Sequence, residues 1–202
     1  MIYITSIYED AITHQVMLKI YDYFGHYSEY RAISCYGKGK IKKRIKAYNN
    51  AAQHGYYFII TDLDNDYECA PLLISDWLPD IRASQLFFRV AVHEVESWLL
   101  ADNENFAVFF SLSNKLVPLE PDKVIDPKGT VISLAKRSKK REIREAIVPI
   151  DNYASIGPEY NTKLQSFVQN YWNINSARRN SPSLNKAINS LEKIINKDRY
   201  TN

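Results

Sequence analysis

Cysteines, long hydrophobic runs and a signal-peptide pattern are what this sequence lacks. Its two cysteines, Cys35 and Cys69, exclude a disulfide scaffold and a zinc site of four thiolates. No stretch approaches the roughly 20 apolar residues of a membrane helix, because Arg89 interrupts the closest candidate, at 86–92. Glu9 and Asp10 occupy the place of a signal's apolar core. We therefore expect a cytoplasmic protein that does not enter a membrane.

The composition is that of a globular protein. The chain has 202 residues, of which 46% are hydrophobic and 24% are charged, whereas disordered chains are poorer in apolar residues. With 26 Lys and Arg against 23 Asp and Glu, the net charge is only +3. This length fits one large domain, or a domain of roughly 100–120 residues with a smaller part attached.

Strand and helix patterns alternate through the first half of the chain. Apolar or β-rich runs predict strands at 2–5, 30–35, 56–61 and 85–92, and helical stripes predict helices at 10–24, 40–54, 69–78 and 94–102. Gly25 follows the first helix, as a terminating glycine does. Strands separated by helices are parallel. We therefore expect an α/β fold with a parallel sheet of about four strands, flanked by helices.

The second half is helical, basic and richer in Asn and Ser. It predicts helices at 103–111, 128–146, 157–172 and 183–197, with prolines in the loops between them. Pro182 follows Ser181 at the start of the last helix, a position that proline favours. We therefore predict an α/β domain over 1–102 and a helical extension over 103–202 that packs on it. The alternative is one continuous body, because no linker marks the boundary near 102–105.

Acidic side chains follow two of the predicted strands. Glu9 lies just past the first strand, and Asp62 and Asp64 lie at the end of the third. Residues two apart in an extended chain point to the same side, and sites of such sheets lie beyond the carboxyl ends of the strands. An oxygen-only cluster suits Mg²⁺ or Mn²⁺. We predict a metal site at Glu9, Asp62 and Asp64; the alternative is a solvated turn, as we expect for Asp66.

A second acidic segment follows the fourth strand. Glu96 or Glu94 could hold a second metal or orient a water, and His93 could act as a general base. The segment lacks the second histidine of a zinc protease motif, which excludes that class. The alternative is a glutamate that favours a helix start, with His93 as a cap. We include Glu96 among the predicted catalytic residues.

Two basic runs stand out against the small net charge. Residues 38–46 hold six cations in nine positions, and residues 136–144 hold six cations and one glutamate. Such islands attract polyanions, although most charge runs are solvated helix faces. The predicted nucleic-acid-binding residues are Lys38, Lys40, Lys42, Lys43, Arg44 and Lys163.

The order of a strand with Glu9 and a strand with Asp62-x-Asp64 resembles the Toprim domain. Topoisomerases, primases, recombination proteins and overcoming-lysogenisation-defect nucleases share that domain. The segments 58–64, 90–102 and 157–161, with Glu94-x-Glu96-x-Trp98 at their centre, together look like a Toprim-related bacterial family of undefined function. Typical Toprim chains have glycine after the glutamate, where this chain has Asp10.

The resemblance implies a metal-dependent nuclease or nuclease subunit. Members of the family are often encoded beside ATPases of the ABC type, in a setting that suggests phage defence. The expected partners are therefore nucleic acid, DNA or RNA, and such an ATPase. One alternative is an inactive Toprim-like module that binds the ATPase. Another is a phospho-acceptor signalling domain, which normally has Thr or Ser after its fourth strand, where this chain has Val92-His93-Glu94.

Overall fold

The chain forms two compact units in the computed structural model, which describes the backbone of residues 1–201 and the side chains of residues 1–196. We call residues 1–92, together with the last helix from Ser183, the sheet unit, and residues 93–182 the helical unit. The predicted division near 102 differs from this arrangement. The chain leaves the sheet unit ten residues earlier, and the final helix belongs with the sheet.

The sheet unit contains four parallel strands, which confirms the predicted α/β fold class. They are β1 (Ile2–Tyr8), β2 (Tyr27–Ser34), β3 (Tyr56–Asp62) and β4 (Leu86–Ala91), in the spatial order β2-β1-β3-β4. Four consecutive residues are buried in β1 and again in β3, as in central strands that are covered on both faces. The first strand extends three residues beyond its predicted end and therefore carries Glu9 directly after it.

Three helices connect these strands: α1 (Ala11–Phe24), α2 (Lys38–Ala51) and α3 (Ala70–Trp77). Asp10 caps α1 by accepting a hydrogen bond from the Thr13 amide at 2.8 Å. Gly25 ends the same helix in the left-handed conformation, with φ of 63°, which glycine adopts without strain. The residue that departs from the Toprim pattern thus has a local structural function as a helix cap.

The connections place the two acidic strand ends side by side. From β1 the chain crosses to β2 on one side, and from β2 it passes back to β3 on the other side. Strands β1 and β3 are therefore neighbours, with Ile7 opposite Ile59, at the point where the strand order reverses. In open α/β sheets, ligands bind in the crevice at this switch point, beyond the carboxyl ends of the strands.

The helical unit contains six short helices. They are α4 (Glu96–Leu100), α5 (Asn103–Phe110), α6 (Pro127–Lys136), α7 (Arg141–Ile147), α8 (Tyr160–Asn170) and α9 (Ile174–Asn180). The helix predicted at 94–102 is shorter in the structure, where α4 covers Glu96–Leu100. His93, which precedes it, has φ of 60° and lies outside the right-handed helical region. The helix predicted at 128–146 is two helices. Ser138 separates them, and its hydroxyl donates to the Phe110 carbonyl at 2.5 Å.

Helix α9 was not predicted, since only Ile174 and Ala177 are buried in it and it has no apolar stripe. The last helix, α10 (Pro182–Thr201), begins at the predicted proline. It returns to the sheet unit, where the Tyr27 hydroxyl donates to the Leu191 carbonyl and the Arg89 guanidinium donates to Ser190. Among the described residues, no helix has the length and apolar character to span a membrane.

Candidate functional site

Glu9 joins the ends of the two central strands. Its Oε1 atom accepts hydrogen bonds from the Thr61 hydroxyl and from the Asp62 amide, the latter at 3.2 Å. Thr61 is 1% exposed and lies one residue before the end of β3. The structure therefore brings Glu9 and Asp62 together at one edge of the sheet, as the parallel pairing of their strands requires.

Burial and charge act against the ionised form of Glu9. Burial raises the pKa of its carboxyl above the ordinary value, and the charge of Asp64 raises it further. The hydrogen bonds from Thr61 and Asp62 and the charge of Lys38 lower this pKa, but they do not offset the effect of burial. A positive ion placed here would stabilise the carboxylate.

Asp64 lies in a turn after β3 and faces a lysine from α2. It has φ of 50°, a left-handed conformation that aspartate tolerates better than most residues. The Lys38 ammonium lies 2.5 Å from Asp64 Oδ2 and 2.6 Å from Asp66 Oδ2. Burial alone would lower the pKa of Lys38, but the hydrogen bonds and charges of the two aspartates outweigh it and raise this pKa. The Lys38 ammonium thus already lies between the carboxylates of Asp64 and Asp66.

The contacts leave one oxygen free on each of two carboxylates. Both hydrogen bonds of Glu9 use Oε1, and the ion pair of Asp64 uses Oδ2. Glu9 Oε2 and Asp64 Oδ1 make no hydrogen bond or ion pair with the residues whose side chains are described. Within that part of the chain, no group of three or more His, Cys, Asp or Glu side chains is arranged to hold a metal ion.

The first basic run forms the exposed face of α2. Ile41, Ile45 and Tyr48 of this helix are buried against the sheet, whereas Lys40, Lys42, Lys43 and Arg44 are exposed. Lys42 lies 2.5 Å from Asp76, and this aspartate raises the pKa of the lysine. Of the predicted nucleic-acid-binding residues, Lys38 and Lys42 therefore have acidic partners in the sheet unit. Lys163 lies in the helical unit on α8.

Glu96 is the most deeply buried of the predicted site residues. Its side chain is 1% exposed and accepts a hydrogen bond from the Tyr160 hydroxyl at 2.9 Å, while Lys128 lies at 3.9 Å. Lys128 also lies 3.3 Å from Glu94, and its amide donates to Glu94 at 2.8 Å. These contacts all lie within the helical unit. A catalytic function for Glu96 stays a prediction.

His93 occupies the turn before α4. Its Nδ1 atom is buried and has no hydrogen-bond partner among the described residues. Neither the proposed base function nor the proposed cap function of His93 is supported by a contact here.

Two of the three segments that carry the resemblance, 90–102 and 157–161, are in contact inside the helical unit. Tyr160 of the segment 157–161 binds Glu96. A Cβ atom at Gly157 would lie 2.4 Å from the Ala146 carbonyl oxygen, so only glycine fits there. Trp98 accepts a hydrogen bond from the Trp172 indole at 3.0 Å. Glu96, Trp98, Gly157 and Tyr160 of these segments thus make structural contacts within this unit.

Sequence reasoning missed Thr61, the pairing of Lys38 with two aspartates, and the contact of Tyr160 with Glu96. Thr61 could have been found from its place beside Asp62 at a strand end. Comparisons of the chain with protein-family models, with curated proteins and with solved structures gave no match. The residues and their geometry therefore carry the functional argument.

Proposed function

We propose that this protein is a metal-dependent nuclease, or the nuclease subunit of a larger assembly, that acts on phosphodiester bonds. The observation that carries the proposal is the position of Glu9 and Asp62-x-Asp64 at the switch point of a parallel sheet. A ligand binds at this place in open α/β sheets. The Toprim-like order of strands and acids in the sequence agrees with this position.

The donor set suits a hard divalent cation. Glu9, Asp62 and Asp64 offer carboxylate oxygens only, which Mg²⁺ and Mn²⁺ prefer over softer metals. The Lys38 ammonium between Asp64 and Asp66 supports the view that this edge favours positive charge. The metal, when bound, would polarise a phosphate oxygen and acidify a water.

The other side chains would position Glu9 and bind the nucleic acid. Thr61 and the Asp62 amide hold Glu9 in one orientation. The exposed cations of α2 would bind the phosphate backbone of DNA or RNA. Both cysteines are free thiols, which agrees with the further proposal that the protein works in the reducing cytoplasm.

The second candidate function is that of an inactive Toprim-like module that binds a partner ATPase. One observation favours it: Lys38 already neutralises Asp64 and Asp66, so this carboxylate pair is balanced without a metal. In this reading, a phage-defence setting would require the module for assembly and not for cleavage.

The variant Asp62→Asn distinguishes the two functions. It keeps the size of the side chain and removes one negative charge from the metal site, so Mg²⁺- or Mn²⁺-dependent cleavage should fall by roughly a hundredfold or more. The fold should be kept, because relieving crowded carboxylates does not cost stability. Cleavage of DNA and of RNA is measured beside thermal melting, with and without the co-encoded ATPase.

Asp66→Asn is the matched control, since it makes the same chemical change in the same acidic segment, at a residue that pairs with Lys38 but lies outside the predicted metal site. It should keep most of the activity. Equal cleavage by the wild type and Asp62→Asn would refute the metal site. A wild type that cleaves nothing, even with the ATPase, but binds that ATPase would support the inactive module.

A further inference from the structure

A cavity lies in the sheet unit, at the opposite end of the sheet from Glu9. It has a volume of about 580 Å³ and opens between α10 and the starts of β3 and β4. Tyr56 of its lining begins the strand that Asp62 ends, and a rise of six residue steps separates the two by about 20 Å. This cavity is therefore separate from the candidate metal site.

The cavity is lined by three cations that have no acidic partner among the side chains of residues 1–196. Arg89 comes from β4, and Lys186 and Lys193 come from one face of α10, seven residues apart. Arg89 donates to Ser190 at 3.1 Å and to the Phe88 carbonyl at 2.9 Å. No carboxylate pairs with these cations among the residues whose side chains are described.

A partly buried guanidinium whose partners among the described residues are all neutral is costly. Burial lowers the pKa of Arg89, since a charge that leaves water needs a partner of opposite sign. The positions of Lys186 and Lys193 add to the positive potential rather than reduce it. The missing partner is thus an anion, and the cavity has room for one.

The remaining lining adds an aromatic wall and an unsatisfied acceptor. Tyr56 and Phe87 are stacked, with ring centroids 6.2 Å apart and planes inclined by 28°. The Gln85 Oε1 atom is buried and has no hydrogen-bond partner among the described residues. Aromatic side chains bind nucleobases by stacking, and a base amino group would supply the donor that Gln85 lacks.

We propose that this cavity binds a nucleotide, with its phosphate at Arg89, Lys186 and Lys193 and its base at Tyr56, Phe87 and Gln85. The volume lies in the range of known small-molecule sites. The three cations supply charge-assisted hydrogen bonds to phosphate oxygens. This site goes beyond the proposed nuclease function and does not depend on it.

The test is isothermal titration of the full chain with AMP and ADP, with adenosine and inorganic phosphate as separate arms. Both nucleotides should bind. Adenosine and inorganic phosphate should each bind at least roughly tenfold more weakly than the nucleotides, because the base and the phosphate each contribute to affinity. The double variant Lys186→Gln/Lys193→Gln and the variant Tyr56→Leu should both weaken nucleotide binding.

Lys46→Gln is the matched control, since Lys46 is an exposed lysine of the sheet unit outside this cavity, and it should bind like the wild type. Asp62→Asn should do so too, which separates this site from the metal site. No binding of AMP or ADP would overturn the proposal, as would phosphate binding as tightly as ADP. Binding of single-stranded RNA without binding of either nucleotide would also overturn it.

Discussion

At the scale of single residues, the carboxyl of Glu9 is a largely buried ionisable group whose charged form is disfavoured by burial. It lies at a strand end between Thr61 and Asp62, with the charge of Asp64 nearby, and its pKa is raised chiefly by burial. A group with a raised folded-state pKa favours the folded state when it is protonated. Its stabilising contribution is therefore complete below the unfolded pKa and is lost as pH rises through the folded pKa.

Glu9→Gln should remove this pH dependence. The glutamine amide oxygen can still accept the hydrogen bonds from Thr61 and Asp62, but the side chain has no charge to bury. Without metal, the variant should therefore be at least as stable as the wild type at pH 7. As pH falls toward 4.5, the ordinary pKa of this group, the free energy of unfolding of the wild type should rise relative to that of the variant. The free energy of unfolding is measured by denaturant titration between pH 4 and 7.

Glu68→Gln is the control for this series, because Glu68 is exposed. The stability difference between this variant and the wild type should not depend on pH in this way. Added Mg²⁺ should stabilise the wild type, since a ligand that binds the folded state raises its stability, and should have less effect on Glu9→Gln. A stability difference that does not change with pH would contradict the argument from burial.

At the scale of elements, helix α2 has two faces with different functions. Its apolar face packs in a cluster with Ile59 and Phe88 of the sheet and with Trp77 of α3. Its other face carries exposed cations, one of which is tied to Asp76. Because the first face already anchors the helix, the second can be changed without loss of the core.

Replacing Lys42, Lys43 and Arg44 together by Gln should weaken nucleic-acid binding and flatten its salt dependence. Each lost phosphate contact reduces the slope of log K against log salt by about 0.9 for duplex DNA. Three contacts therefore correspond to a change of about 2.7 in that slope. The measurement is binding of a duplex by fluorescence anisotropy at several salt concentrations.

The matched control changes three exposed cations of the second basic run, Lys136, Arg137 and Lys139, to Gln. It alters the net charge equally and should leave the slope closer to that of the wild type. An unchanged slope in the α2 variant would mean that this face is only solvated.

At the scale of the whole molecule, the end of the chain completes the sheet unit. Leu184, Ile188 and Leu191 of α10 are fully buried, and Arg89 and Tyr27 of the sheet bind this helix. The helix therefore belongs to the same compact unit as strands far from it in sequence, since its contacts with Arg89 and Tyr27 span 101 and 164 residues.

Truncation after Pro182 should prevent the sheet unit from folding stably. Burial of three Leu or Ile side chains contributes on the order of 4–9 kcal/mol, which is comparable to the whole stability of a domain. Circular dichroism and thermal melting should show loss of the cooperative transition of this unit. Truncation after Asn196 keeps these three residues and serves as the control. A fragment 1–182 that melts like the full chain would contradict this expectation.

The sequence by itself determined the order and type of most elements and the position of the acidic strand ends. Buried strands such as β3 appear as unbroken apolar runs, and Gly25 and Pro182 mark helix boundaries, because these signals depend on neighbouring residues. The parallel arrangement predicts that Glu9 and Asp62 lie at the same edge of the sheet, whereas the adjacency of β1 and β3 depends on the chain topology.

Only the tertiary structure decided which distant side chains meet. Lys38 binds Asp64 and Asp66, and Tyr160 binds Glu96 across 64 residues. The return of α10 to the sheet unit and the cavity beneath it also depend on chain topology. Charge and hydrophobicity show that a side chain needs a partner, but the partner is chosen by packing between elements, which no local pattern contains.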